Sequence, residues 1–200
     1  MIVRPYTLGD LPGLLKIQAE CFPPPFPPEL WWKREQIASH VERFPTGALC
    51  VEDGGQLLAS ATALIIAFDP AHPQHTWADV ADGGYLGTHR ADGDTMYGID
   101  MAVRPAWRGR GVARMLYQAR FDLVRRLGLK RFLAGSRLAG WHRHQYLTQE
   151  QYAEEVAAGR LVDPVITPQL RSGLHPVAFL HGYIEDVESG HAALLMEWTP

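Results

Sequence analysis

Residues 96–128 read MYGIDMAVRPAWRGRGVARMLYQARFDLVRRLG. The stretch reads as a strand, a glycine-rich turn and a long amphipathic helix in succession. Residues 97–103 are β-branched or aromatic enough for a strand, which breaks at Arg104-Pro105. From Val112 onward Val112, Met115, Leu116, Ala119, Leu123, Val124 and Leu127 recur at helical spacing, and Gly128 supplies the stop.

The chemistry lies where the turn meets the helix. The first backbone N–H groups of a helix have no intrahelical partners, and the helix dipole places partial positive charge there. Glycines allow a ligand to approach that backbone closely, so the junction suits a phosphate, and Arg108 and Arg110 add full charges. An ordinary strand–turn–helix unit with glycines for packing is the plainer reading. No Gly-x-x-x-x-Gly-Lys-Ser/Thr loop occurs, and Gly109 and Gly111 lack the third glycine and downstream acid of a dinucleotide site.

Arg108-x-x-Gly111-x-Ala113, preceded by Met101-Ala102-Val103-Arg104-Pro105, resembles the cofactor motif of the GNAT superfamily of acyl-CoA-dependent N-acyltransferases. The resemblance implies a mixed α+β fold: a central, mostly antiparallel sheet of six or seven strands, flanked by helices, with one strand pair splayed for the cofactor. It implies that Arg108, Gly109, Arg110, Gly111, Val112 and Ala113 wrap the pyrophosphate of acetyl-CoA, and that the backbone of Met101, Ala102 and Val103 pairs with the pantetheine arm. Much of the remaining chain resembles a subset of bacterial GNAT proteins found alone or fused to a carbon–nitrogen amidohydrolase, which makes an amidohydrolase a candidate partner. Closing strands that pair across a homodimer are also implied.

Composition sets the outer bounds. Two hundred residues, 46% hydrophobic and 20% charged, suit one soluble domain over 1–200. A formal net charge of −3 argues against a general nucleic-acid binder, and the arginines from 104 to 126 divide between an anionic ligand and a solvated helix face. No apolar run is long enough to cross a bilayer and the first residues lack a signal peptide's apolar core, so the expectation is a cytoplasmic protein without a membrane partner. Cys21 and Cys50 do not suggest a disulfide framework.

Taken in order, 2–6 reads as a short strand, and Thr7 or Asp10 caps a helix carrying Leu11, Leu14, Leu15, Gln18 and Phe22. The proline-rich 22–28 is expected to be extended, with a second helix over 29–44. Trp31 and Trp32 are candidates for lining an acceptor site, with aromatic core packing as the preferred reading. Strands at 48–52 and 56–68 join through Asp53-Gly54-Gly55. The long loop 69–94 holds His72, His75, Asp79, His89 and Asp92. It lacks a tight ligand pair, so it reads as a solvated lid and no metal is expected. A strand at 129–135, an extra segment over 137–162 with a helix at 149–158, a short helix ending at Gly173 and closing strands at 177–183 and 191–198 complete the chain.

Acyl transfer from a thioester to an amine needs a held donor, a base for the amine and stabilisation of the charge on the carbonyl oxygen. Asp100 is the first candidate base, with binding of a cationic substrate or a structural role as alternatives. His142 and His144 are a further option, though a surface role is the preferred reading. The family's general acid is a tyrosine four residues before a Gly-aromatic pair. Here that position is Gln169, which leaves Tyr146, Tyr152 and Tyr183 as substitutes. The expected function is transfer of an acetyl group from acetyl-CoA to a primary amine of a small molecule or peptide. The alternative is a non-catalytic acyl-CoA-binding module that regulates or partners an amidohydrolase.

Overall fold

The computed structural model describes residues 1–24, 26 and 28–200. Its strands are β1 (Ile2–Pro5), β2 (Ala48–Asp53), β3 (Gln56–Ile66), β4 (Thr95–Val103), β5 (Arg131–Arg137), β6 (His175–Leu180) and β7 (Ala193–Trp198). They form one sheet in the order β1-β2-β3-β4-β5-β7-β6. Every neighbouring pair is antiparallel except β4–β5. The helices are α1 (Leu11–Cys21), α2 (Arg34–Arg43), α3 (Trp77–Ala81), α4 (Val112–Arg126), α5 (Gln149–Ala157) and α6 (Ile166–Arg171). The expected mixed α+β sheet is present with seven strands. The extended reading of Pro25 and Pro27 lies outside the described residues.

Alternation along the strands separates two apolar layers. One face packs Tyr97, Ile99, Ala102 and Leu133 with Leu14, Ile17 and Ile37 of α1 and α2. The other packs Met96, Phe132 and Ala134 with Tyr117, Phe121 and Val124 of α4. Each Leu, Ile, Val, Met or Phe among them, fully buried, contributes roughly 1.5–3 kcal/mol. The inward face of α4 is broader than the apolar stripe indicates. Tyr117, Arg120 and Phe121 are buried with it, whereas Leu127 is exposed, as is Leu15 on α1.

Two departures from the sequence reading matter for the site. The second helix starts at Arg34, because Pro28–Leu30 forms a separate 3₁₀ turn. More consequentially, 69–94 is not a solvated lid. Thr76 caps α3 by accepting from Asp79 N, and Val80, Ala81 and Leu86 enter the core. Polar contacts hold the rest: His40 Nε2 to the Gly84 carbonyl at 2.7 Å, Gln36 to the Gly83 carbonyl at 2.8 Å and Arg90 N to the Ile65 carbonyl at 2.8 Å. Loop composition hid an element that buries Val80, Ala81 and Leu86 while Tyr85 stays exposed. Its candidate metal ligands scatter: His72 pairs with Asp69, Asp92 with Arg90, and His89 accepts from Ile65 N.

A forked sheet as candidate active site

The site begins with the only parallel pairing in the sheet. β4 and β5 pair over four rungs, from Thr95–Arg131 to Gly98–Ala134, and then separate. Beyond the last rung β4 stays with β3 as far as Val103, and β5 stays with β7 as far as Arg137. The sheet therefore forks, leaving a gap edged on one side by 99–103 and on the other by 135–137. Met101, Ala102 and Val103 all lie on the β4 edge of this gap.

A bulge on β4 prepares that edge. Thr62 on β3 pairs with Asp100 and its neighbour Ala63 with Gly98, so Ile99 is the extra residue. Side chains take the carbonyls that the irregular backbone exposes. Arg120 Nη2 donates to Thr62 O at 2.8 Å and to Asp100 O at 2.6 Å, Trp77 Nε1 to Ile99 O at 3.0 Å, and Arg108 Nε to Val103 O at 3.1 Å. Arg120 is thus neither a solvated helix residue nor free for an anion. It is 1% exposed because the bulge needs a buried donor that only a long guanidinium on α4 can supply.

The gap runs towards the N-terminus of α4. Gly109 and Gly111 hold φ of 73° and 81°, a left-handed backbone that L side chains rarely adopt, and neither α-carbon has a protein atom within 4 Å of where a Cβ would stand. Gly111 is the N-cap, and no side chain caps this 15-residue helix. Its first N–H groups therefore face open space beside Gly109, Arg110, Val112 and Ala113. Arg110 stacks on Trp107 at 5.2 Å, and among the described residues neither Arg108 nor Arg110 forms an ion pair. Arg104, bound to Glu20 of α1 at 2.7 and 2.8 Å, anchors the start of the loop. This is an open cradle of N–H donors and positive charge, and a pyrophosphate fits it.

Asp100 sits on the α1–α2 face of the bulge, and its Oδ2 is buried without a hydrogen-bond partner among the described residues. Burial lifts its pKa to about 6, against the opposing pull of Arg120 and of the Trp32 indole N–H. Trp32 is buried beside it, with its ring 4.8 Å from His40 and 6.0 Å from Trp77, while Trp31 donates to the Phe22 carbonyl away from the fork. The tyrosines differ in place. Tyr146 is 76% exposed, and Tyr152 donates to buried Asp163 at 2.9 Å. Tyr183 lies against Gly135, the first β5 residue past the last rung, where a Cβ would collide with its ring and hydroxyl. Gln169 accepts from Ser136 Oγ at 2.5 Å and has no acidic proton to offer. His142 and His144 bind the Ala139 and Gly140 carbonyls through Nδ1, within the extra segment. The sequence reading gave no role to Tyr97 or Trp77, weighed His75 only as a metal ligand, and counted Arg120 among arginines for an anion or a solvated helix face. Only their residue types could have drawn notice, because their partners are distant in the chain.

A model of the acetyltransferase (GNAT) family matches residues 11–144. Over 199 residues the chain is 40% identical to an uncharacterized N-acetyltransferase, YkwB, of Bacillus subtilis (strain 168), covering 99% of this chain and 88% of that one. It is also 38% identical over 201 residues to a probable hydrolase, YhcX, of the same organism, and all of this chain spans 38% of that protein's length. Among solved structures, the GNAT-like decarboxylase GphF in complex with isobutyryl-CoA superposes with a TM-score of 0.79 at 23% identity, over 100% of this chain and 99% of that one. The loading GNATL domain of CurA from Lyngbya majuscula gives 0.85 at 16% identity, over 99% and 96%. At these identities the likeness is one of fold.

Proposed function

The chain belongs to the GNAT acetyltransferase family, and from that premise we propose that it transfers an acetyl group from acetyl-CoA to a primary amine of a small molecule or peptide. One observation carries the reading: the fork between β4 and β5 leads into an uncapped, glycine-lined helix N-terminus flanked by two arginines without ion pairs. A slot for an extended arm next to a seat for a pyrophosphate is what an acyl-CoA needs. In this reading Arg108, Gly109, Arg110, Gly111, Val112 and Ala113 bind the pyrophosphate, and Met101, Ala102 and Val103 offer backbone to the pantetheine. The acyl-CoA supplies the activated carbonyl, and the fold holds it against the acceptor.

Asp100 serves as the catalytic carboxylate. A carboxyl lifted to about 6 is ionised at neutral pH yet basic enough to relieve an entering ammonium of one proton. Its burial beside Trp32 also favours a cationic acceptor over a neutral one. Backbone N–H groups on the released edge of β4 stabilise the charge that develops on the carbonyl oxygen. The domain so described runs over 1–200, with 69–94 and 137–162 walling the acceptor side.

A second reading rests on Gln169 and on the relative in which such a chain is part of a probable hydrolase: an acyl-CoA-binding module that regulates an amidohydrolase. A thermal-shift titration with acetyl-CoA, and with isobutyryl-CoA alongside, tests the shared premise. At a hundred times its dissociation constant a ligand adds about 2.7 kcal/mol of stability. The expected result is stabilisation in the wild type that is lost in Arg108→Glu/Gly111→Asp. No shift at millimolar ligand overturns both readings. Thiol release with an amine panel then separates them, since binding without turnover leaves only the module.

A further inference from the structure

Three side chains from distant segments meet at the base of the fork on the α1–α2 face: His75 before α3, Tyr97 of β4 and Tyr183 after β6. Tyr97 and Tyr183 are buried, whereas His75 is half-buried. His75 Nδ1 lies 2.7 Å from the Pro73 carbonyl and Nε2 2.7 Å from Tyr97 Oη, and Tyr97 Oη lies 3.1 Å from Tyr183 Oη. The rings stand edge to face, His75 against Tyr97 at 5.3 Å and against Tyr183 at 5.8 Å, and Trp77 N donates to the Tyr183 carbonyl at 2.7 Å. The far end of the chain, Tyr183 Oη, rests on Gly135 where β5 has just lost its β4 partner.

Counting hydrogens gives this chain two settings. The Pro73 carbonyl only accepts, so Nδ1 carries a proton in both. In one setting Nε2 donates to Tyr97, Tyr97 donates to Tyr183, and Tyr183 presents its own O–H to the fork. The imidazole then holds two protons. In the other, His75 is neutral, Tyr97 donates to Nε2, Tyr183 donates to Tyr97, and Tyr183 presents a lone pair. The settings differ by one proton and need no movement of heavy atoms.

We propose that Tyr183, Tyr97 and His75 form a proton relay that takes the second proton of the acceptor nitrogen and returns it to the departing thiolate. The proposal rests on the acetyl-transfer reading and supplies the acid missing at Gln169. Asp100 first takes one proton from the ammonium. As the C–N bond forms, the nitrogen gives another to Tyr183 Oη, Tyr183 passes its own to Tyr97, and Tyr97 passes its own to Nε2. As the C–S bond breaks, the same three transfers run backwards and the thiolate sulfur leaves as a thiol. The second proton of the nitrogen has reached sulfur, the first leaves Asp100 for water once the products depart, and the relay ends as it began. Tyr183 is the catalytic residue of the three, and Tyr97 and His75 act through it. Burial holds both phenols well above their ordinary range, so they pass protons without storing charge. Burial lowers His75 against weaker opposing pulls from the Pro73 carbonyl and then from Asp79 on α3, so the relay rests in its receptive, neutral setting; its other titratable neighbours are the two tyrosines.

The test compares the wild type with Tyr183→Phe, Tyr97→Phe and the half-exposed His75→Gln, each first checked for folding by its Tm. The relay predicts a fall in kcat of about a hundredfold in Tyr183→Phe, with the acetyl-CoA dissociation constant from thermal shift held within twofold. Tyr97→Phe separates a relay from a packing role. The wild-type solvent deuterium effect should bow with deuterium fraction, as for several protons in flight, and the bow should flatten in this variant. In a readout free of turnover, adding CoA should shift the His75 ¹⁵N signals in the wild type and not in Tyr97→Phe. Wild-type turnover with kcat retained in both phenylalanine variants overturns the relay alone. Absence of acetyl-CoA binding to the wild type overturns the acetyl-transfer reading and the relay together, and is visible before any variant is made.

Discussion

At the scale of single residues, the site depends on groups kept from water. Asp100 makes this measurable. Its folded pKa, about 6, lies above the ordinary carboxylate value of 3.8. Below pH 4 both folded and unfolded chains hold the proton, and the group costs nothing. As pH rises from 4 to 6 the unfolded chain releases the proton first, so stability falls, and it levels off above 6. Asp100→Asn removes that loss. Its stability should match the wild type near pH 4 and exceed it by up to about 3 kcal/mol above pH 6.5, read as a widening Tm gap, while turnover drops. An equal gap at all pH values would mean that Asp100 does not titrate in this range. The position of Asp100 was legible from its strand. Arg120 was not, because a bulge leaves no mark in sequence, and an arginine among many on one helix looks solvated until the carbonyls it serves are seen.

At the scale of elements, the strand–turn–helix of 96–128 was legible almost entirely, because periodicity, a proline break and two glycines all act locally. The fork itself followed only from the family resemblance, since splaying is a relation between strands whose paired residues lie 36 positions apart. Loop 69–94 was misread for a similar reason: its hydrogen-bond partners lie on α2, β3 and β4. The α4 junction allows backbone strain and ligand contact to be separated. Gly111→Ala places a methyl where no protein atom lies within 4 Å, so the folded state should lose only the left-handed penalty, roughly 1–2 kcal/mol. If the loop wraps a pyrophosphate, acetyl-CoA affinity in this variant should fall tenfold or more by calorimetry. An affinity change below twofold would remove Gly111 from the ligand's path.

At the scale of the whole molecule, two half-sheets meet through only four rungs, and 69–94 crosses between them. Gln74 Nε2 donates to the Phe179 carbonyl at 2.7 Å and its Oε1 accepts from His181 N at 3.3 Å, Trp77 N reaches the Tyr183 carbonyl, and its indole reaches Ile99. The first three contacts join residues about a hundred positions apart, so the chain meets the entropy of a long closure before any of them forms. The expectation is that the cleft assembles late, after the folding barrier has been crossed. Interactions absent from the transition state alter escape from the native basin and leave entry to it unchanged. Acetyl-CoA should therefore slow unfolding in denaturant jumps by the full factor of its stabilisation and leave the refolding rate as it is without ligand. Faster refolding with acetyl-CoA would mean that the fork is already built at the barrier top.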